Sequence, residues 1–259
     1  MLRSPALARS PALRRLATAS VRRSLGRIRD RVRNDIHRFS LSPTAREVLH
    51  RRLTYLSPHK LHTLERCAEE VNQRDVPGDF IECGVALGGS AIVMASHLEY
   101  GRRLHGYDVF GMIPPPSDRD DEGAHQRYET IRAGRSAGID GDEYYGYIDD
   151  LRTVVVDNFR LFGFEPDGRP IALHEGLFQD TLRLEAGQRV ALAHIDCDWY
   201  DPVSFCLGAI HPHLAPGGFI VLDDYNDYGG CRRASDEFLA RHADMELRSA
   251  ATNAVLRRR

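Results

Sequence analysis

Short apolar runs that stop at an acid or a glycine recur along this chain, and they constrain its fold more than any other feature. Asp79-Phe80-Ile81-Glu82-Cys83-Gly84-Val85 reads as a strand entering a glycine-rich turn, with Gly88-Gly89-Ser90 opening a helix to about His97. Arg103-Leu104-His105-Gly106-Tyr107-Asp108 is a second strand ending in an acid. Ile171-Ala172-Leu173-His174 runs into Glu175-Gly176, Val190–Ile195 into Asp196-Cys197-Asp198, and Phe219-Ile220-Val221-Leu222 into Asp223-Asp224. Ala254-Val255-Leu256 reads as a last strand. Helical patterns fall between them. One opens at Ser42-Pro43-Thr44, and a second covers residues 58–71 with Leu61, Leu64, Cys67, Ala68 and Val71 on one face. Others cover 154–162, 203–214 (stopped by Pro216-Gly217-Gly218) and 235–242. Strands alternating with helices predict a mostly parallel sheet with helices on both faces. Such sheets bind ligands beyond the carboxyl ends of their strands. Residues 109–150 are polar and rich in proline, glycine and acids, and so long a connection is expected to be functional or disordered.

The 259 residues suffice for one large α/β domain plus an extension. The division falls near residue 40. Residues 1–40 read as a basic, flexible extension and 41–259 as the folded domain. In the extension Arg14, Arg15, Arg22, Arg23, Arg27, Arg29, Arg31 and Arg33 are opposed only by Asp30 and Asp35. A weak peripheral contact with an anionic membrane is its alternative use. The net charge of −2 gives no reason to expect nucleic acid as a partner. No apolar run approaches the ~18 residues that span a bilayer, and the N-terminus has no uninterrupted apolar core of a secretory signal. The five cysteines are dispersed and form no CxxC pair, which points to a reducing compartment, the cytoplasm.

The turn Glu82-Cys83-Gly84-Val85-Ala86-Leu87-Gly88-Gly89-Ser90 is not the GxGxxG of a dinucleotide binder. Glycine lets the backbone approach a ligand, and the next helix offers free N–H groups. An acid beside the turn suits the sulfonium of S-adenosylmethionine and repels phosphate. Glu82, Gly84, Val85 and Ser90 are therefore candidate cofactor contacts, although a purely structural turn explains them about as well. Asp108 is the expected carboxylate for two ribose hydroxyls, with a helix cap as the alternative. Glu175, Gly176 and Asp180 are candidates for the adenine side, with a plain turn as an even alternative.

The sharpest feature is the pair of acidic clusters, Asp196 with Asp198 and Asp223 with Asp224. If their strands are neighbours, the clusters meet at one edge of the sheet. Carboxylates that close repel one another unless a cation lies among them. Oxygen-only ligands suit a hard ion such as Mg2+. Asp196, Asp223 and Asp224 are assigned to the metal, with Asp196 also beside the cofactor, and Asp198 to the base. A cation lowers the pKa of a bound hydroxyl and a carboxylate removes its proton; positioning then supplies much of the rate of in-line methyl transfer. Solvated caps are the plain alternative. His194 falls inside a strand and reads as a core histidine, while His211 and His213 flank a helix end and read as surface residues.

These phrases resemble the macrocin O-methyltransferase family (the TylF, MycF and NovP type). The resemblance runs from about Leu53 to Phe238. It rests on Pro77-Gly78-Asp79-Phe80-Ile81-Glu82-Cys83-Gly84-Val85, His194-Ile195-Asp196-Cys197-Asp198-Trp199-Tyr200-Asp201, Pro216-Gly217-Gly218-Phe219 and Leu222-Asp223-Asp224-Tyr225, with Glu175-Gly176-Leu177-Phe178 and Asp180-Thr181-Leu182 in support. It implies a Rossmann-like class I methyltransferase with a seven-stranded sheet, S-adenosylmethionine and Mg2+ as cofactors, and a sugar or glycoside as partner. The implied reaction methylates the 3- or 4-hydroxyl of a deoxysugar on a natural product. It carries the metal roles onto Asp196, Asp223 and Asp224 and the base onto Asp198. It also implies a homodimer and an N-terminal helical lid that places Thr54 and Tyr55 near the cofactor. Two features depart from the family: Phe110-Gly111-Met112-Ile113-Pro114 replaces its usual Glu-Gly-Met-Pro, and the arginine-rich tail is not part of its pattern. Competing readings are methylation of a catechol-like or other vicinal diol, and a non-catalytic S-adenosylmethionine or nucleoside binder. A nucleotide-sugar hydrolase needs a phosphate cradle, which the sequence lacks.

Overall fold

The structure, a computed structural model, describes residues 40–99 and 101–259. The expectations attached to the basic stretch, its flexibility and membrane contact, lie outside the described residues.

Helix α1 (Pro43–His50) starts where the Ser42 hydroxyl accepts the Ala45 N–H at 3.0 Å, with proline in the first turn. Helix α2 (Pro58–Gln73) repeats the device with Ser57 and Pro58. Such caps satisfy N–H groups that have no partner inside the helix. In α2 the predicted face, Leu61, Leu64, Cys67, Ala68 and Val71, is the buried one. Then follow β1 (Asp79–Cys83), α3 (Gly89–Ala95), β2 (Leu104–Asp108), α4 (Glu122–Arg132) and α5 (Leu151–Leu161). After these come β3 (Ile171–Glu175), the short α6 (Phe178–Thr181), β4 (Val190–Ile195) and α7 (Tyr200–Ile210). The chain closes with β5 (Leu214–Leu222), α8 (Gly229–Arg241), β6 (Met245–Ser249) and β7 (Ala254–Arg258).

The seven strands form one sheet in the order β3-β2-β1-β4-β5-β7-β6. The first five are parallel, and β7 is antiparallel to both β5 and β6. This is the mostly parallel, seven-stranded sheet expected of a Rossmann-like class I methyltransferase. From β1 the chain winds outward through β2 and β3, then returns to β4 on the other side of β1. The loops after β1 and β4 therefore diverge and leave a crevice at the carboxyl edge.

Successive side chains of a strand face opposite sides. Phe80 joins Leu104, Leu192 and Val221 under α2, α3 and α5, whereas Ile81 and Cys83 join Ile195, Ile220 and Leu256 under α7 and α8. All six residues of β4 are buried, as befits a central strand covered on both faces. Each fully buried large apolar side chain contributes about 1.5–3 kcal/mol, so the two packed faces fix the sheet whose carboxyl edge carries the crevice.

Three elements differ from expectation. The helix expected over 203–214 ends at Ile210, a 3-10 turn spans His211–His213, and Leu214 already begins β5. Pro216 has no N–H for the ladder, and pairing jumps from Val190↔Leu214 to Leu192↔Phe219. Residues 109–150 contain α4 and the 3-10 turns Ile139–Gly141 and Tyr145–Tyr147. Strand β6 forms the edge, with only Met245 buried. Among the described residues no helix is long and apolar enough to cross a membrane.

Candidate active site

The turn after β1 is built around close backbone contact. Gly84 has φ 94°, and a Cβ there would sit 1.8 Å from the Asp196 carbonyl oxygen, so the approach of β1 to β4 requires glycine. At Gly89 a Cβ would lie 2.2 Å from the Leu53 carbonyl oxygen, which accepts the Gly89 N–H at 2.9 Å. The α1–α2 connector is thus tied to the start of α3. Within it Thr54 is buried and its hydroxyl accepts the Leu56 N–H at 3.1 Å. Tyr55 is exposed and packs edge-on to Tyr145 at 5.7 Å.

Asp108, at the end of β2, closes the same turn. Its Oδ2 accepts the N–H groups of Val85 at 2.6 Å and Ala86 at 3.0 Å, and its Oδ1 that of Phe110 at 2.8 Å. Burial pushes this carboxyl up and the N–H donors pull it back, with a net rise. Glu82 stands elsewhere. It is fully buried, its Oε1 lies 2.8 Å from His194 Nδ1, and it lines neither cavity described below. His194 is accordingly a core histidine with a partner, as its position inside a strand predicts. Ser90 is buried in the first turn of α3. Glu175 is exposed at the end of β3, 3.7 Å from Arg152. His211 Nε2 lies 3.0 Å from Asp244 Oδ2, His213 Nδ1 lies 2.9 Å from the Gln188 carbonyl oxygen, and both histidines are half-buried away from the crevice.

Two cavities meet at the carboxyl edge. The larger, ≈ 460 Å³, is lined by Gly111, Ile113, Gly176 and Asp180. The smaller, ≈ 270 Å³, is lined by Tyr55, Lys60, Arg127, Tyr144, Tyr228 and the Asp223-Asp224 pair. Gly84, Asp108, Tyr145, Asp196, Asp198 and Trp199 border both. The polar segment after β2 is fastened over this junction. Trp199 Nε1 donates to the Pro114 carbonyl at 3.0 Å, the Tyr200 N–H to Asp120 Oδ1 at 2.7 Å, and the Gly229 N–H to Asp121 Oδ2 at 3.1 Å.

Strands β4 and β5 are neighbours, so the two acidic clusters do meet. One carboxylate oxygen from each of Asp196, Asp223 and Asp224 lies within 4.8 Å of the others. Asp223 and Asp224 are buried, while Asp196 and Asp198 open onto the cavities. Asp198 sits in a tight turn at φ 58°, an uncommon conformation for any residue but glycine. Its N–H donates to Asp224 Oδ2 at 3.0 Å. Burial, and then repulsion from Asp223, pushes the Asp198 carboxyl up to about 7 against the pull of Arg127 and Lys60. Burial followed by mutual repulsion also raises the carboxyls of Asp196 and Asp224 well above the usual range. Asp223 Oδ1 is buried without a hydrogen-bond partner. An all-oxygen set with this excess of negative charge fits a hard divalent cation.

Sequence reasoning did not find Lys60, Arg127, Tyr144, Tyr145 or Tyr228. The Arg127 guanidinium stands 5.6 Å from the Tyr144 ring centre, and the Tyr144 and Tyr145 rings are 4.5 Å apart. The run Tyr144-Tyr145-Gly146-Tyr147, dense in aromatics inside a polar segment, was the available signal.

The fold is that of a Rossmann-like class I methyltransferase, with the crevice at the carboxyl edge of its sheet. Residues 43–258 match the model of the Macrocin-O-methyltransferase (TylF) family. The chain is 30% identical over 193 residues to the 8-demethyl-8-(2,3-dimethoxy-alpha-L-rhamnosyl)-tetracenomycin-C 4'-O-methyltransferase of Streptomyces olivaceus, covering 73% of this chain and 68% of the relative. It is 28% identical over 198 residues to the mycinamicin III 3''-O-methyltransferase of Micromonospora griseorubida, covering 73% of this chain and 71% of the relative. Among solved structures, the O-methyltransferase NovP superposes with a TM-score of 0.65 at 25% identity, covering 80% of this chain and 82% of its own. The calicheamicin methyltransferase CalS11 shares the fold, with a TM-score of 0.56 at 22% identity over 97% of this chain and 94% of its own. The chain belongs to the macrocin O-methyltransferase family and is an S-adenosylmethionine-dependent O-methyltransferase.

Proposed function

We propose that this enzyme methylates a hydroxyl of a sugar, a deoxysugar on a glycosylated natural product, with a divalent cation such as Mg2+ at the acidic centre. The observation that carries the reading is the convergence of Asp196, Asp198, Asp223 and Asp224 beside the glycine turn that borders both cavities.

Asp196, Asp223 and Asp224 would hold the cation. Bound S-adenosylmethionine would supply the methyl group, and the cation would make an acceptor hydroxyl more acidic. Asp198 borders both cavities, which suits it to take the acceptor's proton as general base. Gly84, Asp108, Gly176, Asp180 and Tyr55, which line the cavities, would bind and orient the cofactor, Asp108 through the ribose, with the buried Val85 and Thr54 packed behind them. Glu82 and Ser90 are buried, line neither cavity and would not touch the cofactor. Trp199, fixed by Pro114, and Tyr145 form the wall at the junction, which keeps water from the reacting atoms. Tyr144, Tyr145 and Tyr228 offer apolar ring faces to the C–H face of a sugar, and the name of the Streptomyces olivaceus relative gives a rhamnosyl substrate.

The same aromatic wall supports a second reading, methylation of a flat catechol-like diol. Incubation with S-adenosylmethionine and matched panels of glycosides and catechols, read by mass spectrometry, separates the two. Methylated glycoside is the expected product; methylated catechol alone overturns the sugar reading. We also propose a homodimer in the cytoplasm, where the five free, buried thiols stay reduced; light scattering of the purified chain tests the dimer.

A further inference from the structure

Lys60 is the only lysine in the chain; all its other lysine-or-arginine positions are arginine. That one ammonium does not sit in solvent. It enters the acidic centre from the first turn of α2 with its side chain 15% exposed. Its Nζ donates to Asp223 Oδ2 at 2.7 Å, to the Asp223 carbonyl oxygen at 3.0 Å and to Asp227 Oδ2 at 2.7 Å. An ammonium has three donors, and all three are used. A compact tetrahedral head can serve three acceptors that converge on one point; the planar fork of arginine is built for two parallel bonds. The other oxygen of Asp223, Oδ1, is buried and has no hydrogen-bond partner.

We propose that Lys60 is a positioning residue for the cation centre. It pins one oxygen of Asp223 and the backbone behind it, so that the second oxygen is presented together with Asp196 and Asp224. Lysine is kept here, in a chain otherwise furnished with arginine, because a guanidinium cannot make the same three bonds. The proposal rests on reading Asp196, Asp223 and Asp224 as cation ligands. It adds that the N-terminal helix α2 contributes to the centre through a residue that is not itself a ligand. Partners that orient a metal ligand set affinity through geometry.

The test is isothermal titration of the full chain with Mg2+, for the wild type, Lys60→Met and Lys60→Arg, with S-adenosylhomocysteine binding as the check on folding. Both variants are expected to bind Mg2+ about 10–100-fold more weakly and S-adenosylhomocysteine as tightly as the wild type. A variant that binds Mg2+ as tightly as the wild type, or more tightly, overturns the proposal; tighter binding shows that Lys60 merely occupies the centre in place of a cation. A wild type that binds S-adenosylhomocysteine and no Mg2+ removes the cation centre itself, and Lys60's role with it. A second readout needs no variant and decides the matter if both substitutions disrupt folding. Isotope labelling of lysine side-chain nitrogen yields one ammonium signal in this chain. Held by three hydrogen bonds, it is expected to be visible against solvent exchange and to shift on Mg2+ addition. A signal lost to exchange, or unmoved at saturating Mg2+, overturns the positioning role.

Discussion

Replacing Glu82 with alanine separates structural support from cofactor contact at the turn after β1. Glu82 and His194 are both fully buried, 2.8 Å apart, on the adjacent strands β1 and β4. Glu82 Oε2 and His194 Nε2 have no other hydrogen-bond partner. Removing one member of such a pair leaves the other polar group stranded in the core. Leaving a buried polar group without its hydrogen-bond partner costs about 1–3 kcal/mol. In a chain of this size each kcal/mol corresponds to roughly 2–4 °C in Tm, so Glu82→Ala should melt roughly 2–12 °C lower than the wild type. Differential scanning calorimetry measures the shift. Isothermal titration with S-adenosylhomocysteine, well below the lowered Tm, should find an affinity close to wild type, because the Glu82 side chain lines neither cavity. An unchanged Tm with a large loss of affinity would refute the reasoning and return Glu82 to the cofactor.

Further outcomes follow from the same geometry. Gly84→Ala forces a Cβ against the Asp196 carbonyl at a strained φ. A strained residue of this kind costs about 1–3 kcal/mol before the clash is counted, so S-adenosylhomocysteine binding should be lost; wild-type affinity in this variant contradicts the close approach of β1 and β4. His174 stacks on Tyr107 at 4.4 Å, and burial, then His105 and Arg103, hold its pKa below 6.5. A histidine with a lowered folded pKa contributes stability that is full above the unfolded value and fades as pH falls through the folded one. The Tm should therefore drop on acidification below about pH 6.5, and His174→Gln should flatten that slope; an identical slope in the variant removes His174 as the cause.

Much of the sheet was legible in the sequence because its strands are short apolar runs punctuated by acids and glycines. The acidic centre was legible for a related reason: Asp196, Asp198, Asp223 and Asp224 follow consecutive strands, and β4 and β5 do pair. Elements with little apolar burial were not. Helix α4 buries only Ala124 and Ile131, and β6 only Met245, so neither carries a periodic signal. The limit of the α7 pattern at Ile210 depended on β5 tolerating Pro216 through an irregular register, which is a tertiary effect. Lys60 and Arg127 reach the site from α2 and α4, far away in sequence. Local spacing cannot announce residues brought in by packing, and so Lys60 and Arg127, in the wall of the smaller cavity, came only from the structure. Glu82 shows the converse: its place beside the glycine turn pointed toward ligand, but alternation along β1 puts its side chain on the same covered face as Phe80, against His194.

The account stands most directly on one assay: transfer of labelled methyl from S-adenosylmethionine to an accepted glycoside by the wild type and by Asp198→Asn, each with Mg2+ and with chelator. The prediction is turnover only for the wild type with Mg2+. Loss of a general base costs about 10²–10⁴-fold in rate, while Asp198→Asn should still bind S-adenosylhomocysteine. Full turnover by Asp198→Asn, or by the wild type in chelator, would contradict the proposed chemistry of the acidic centre.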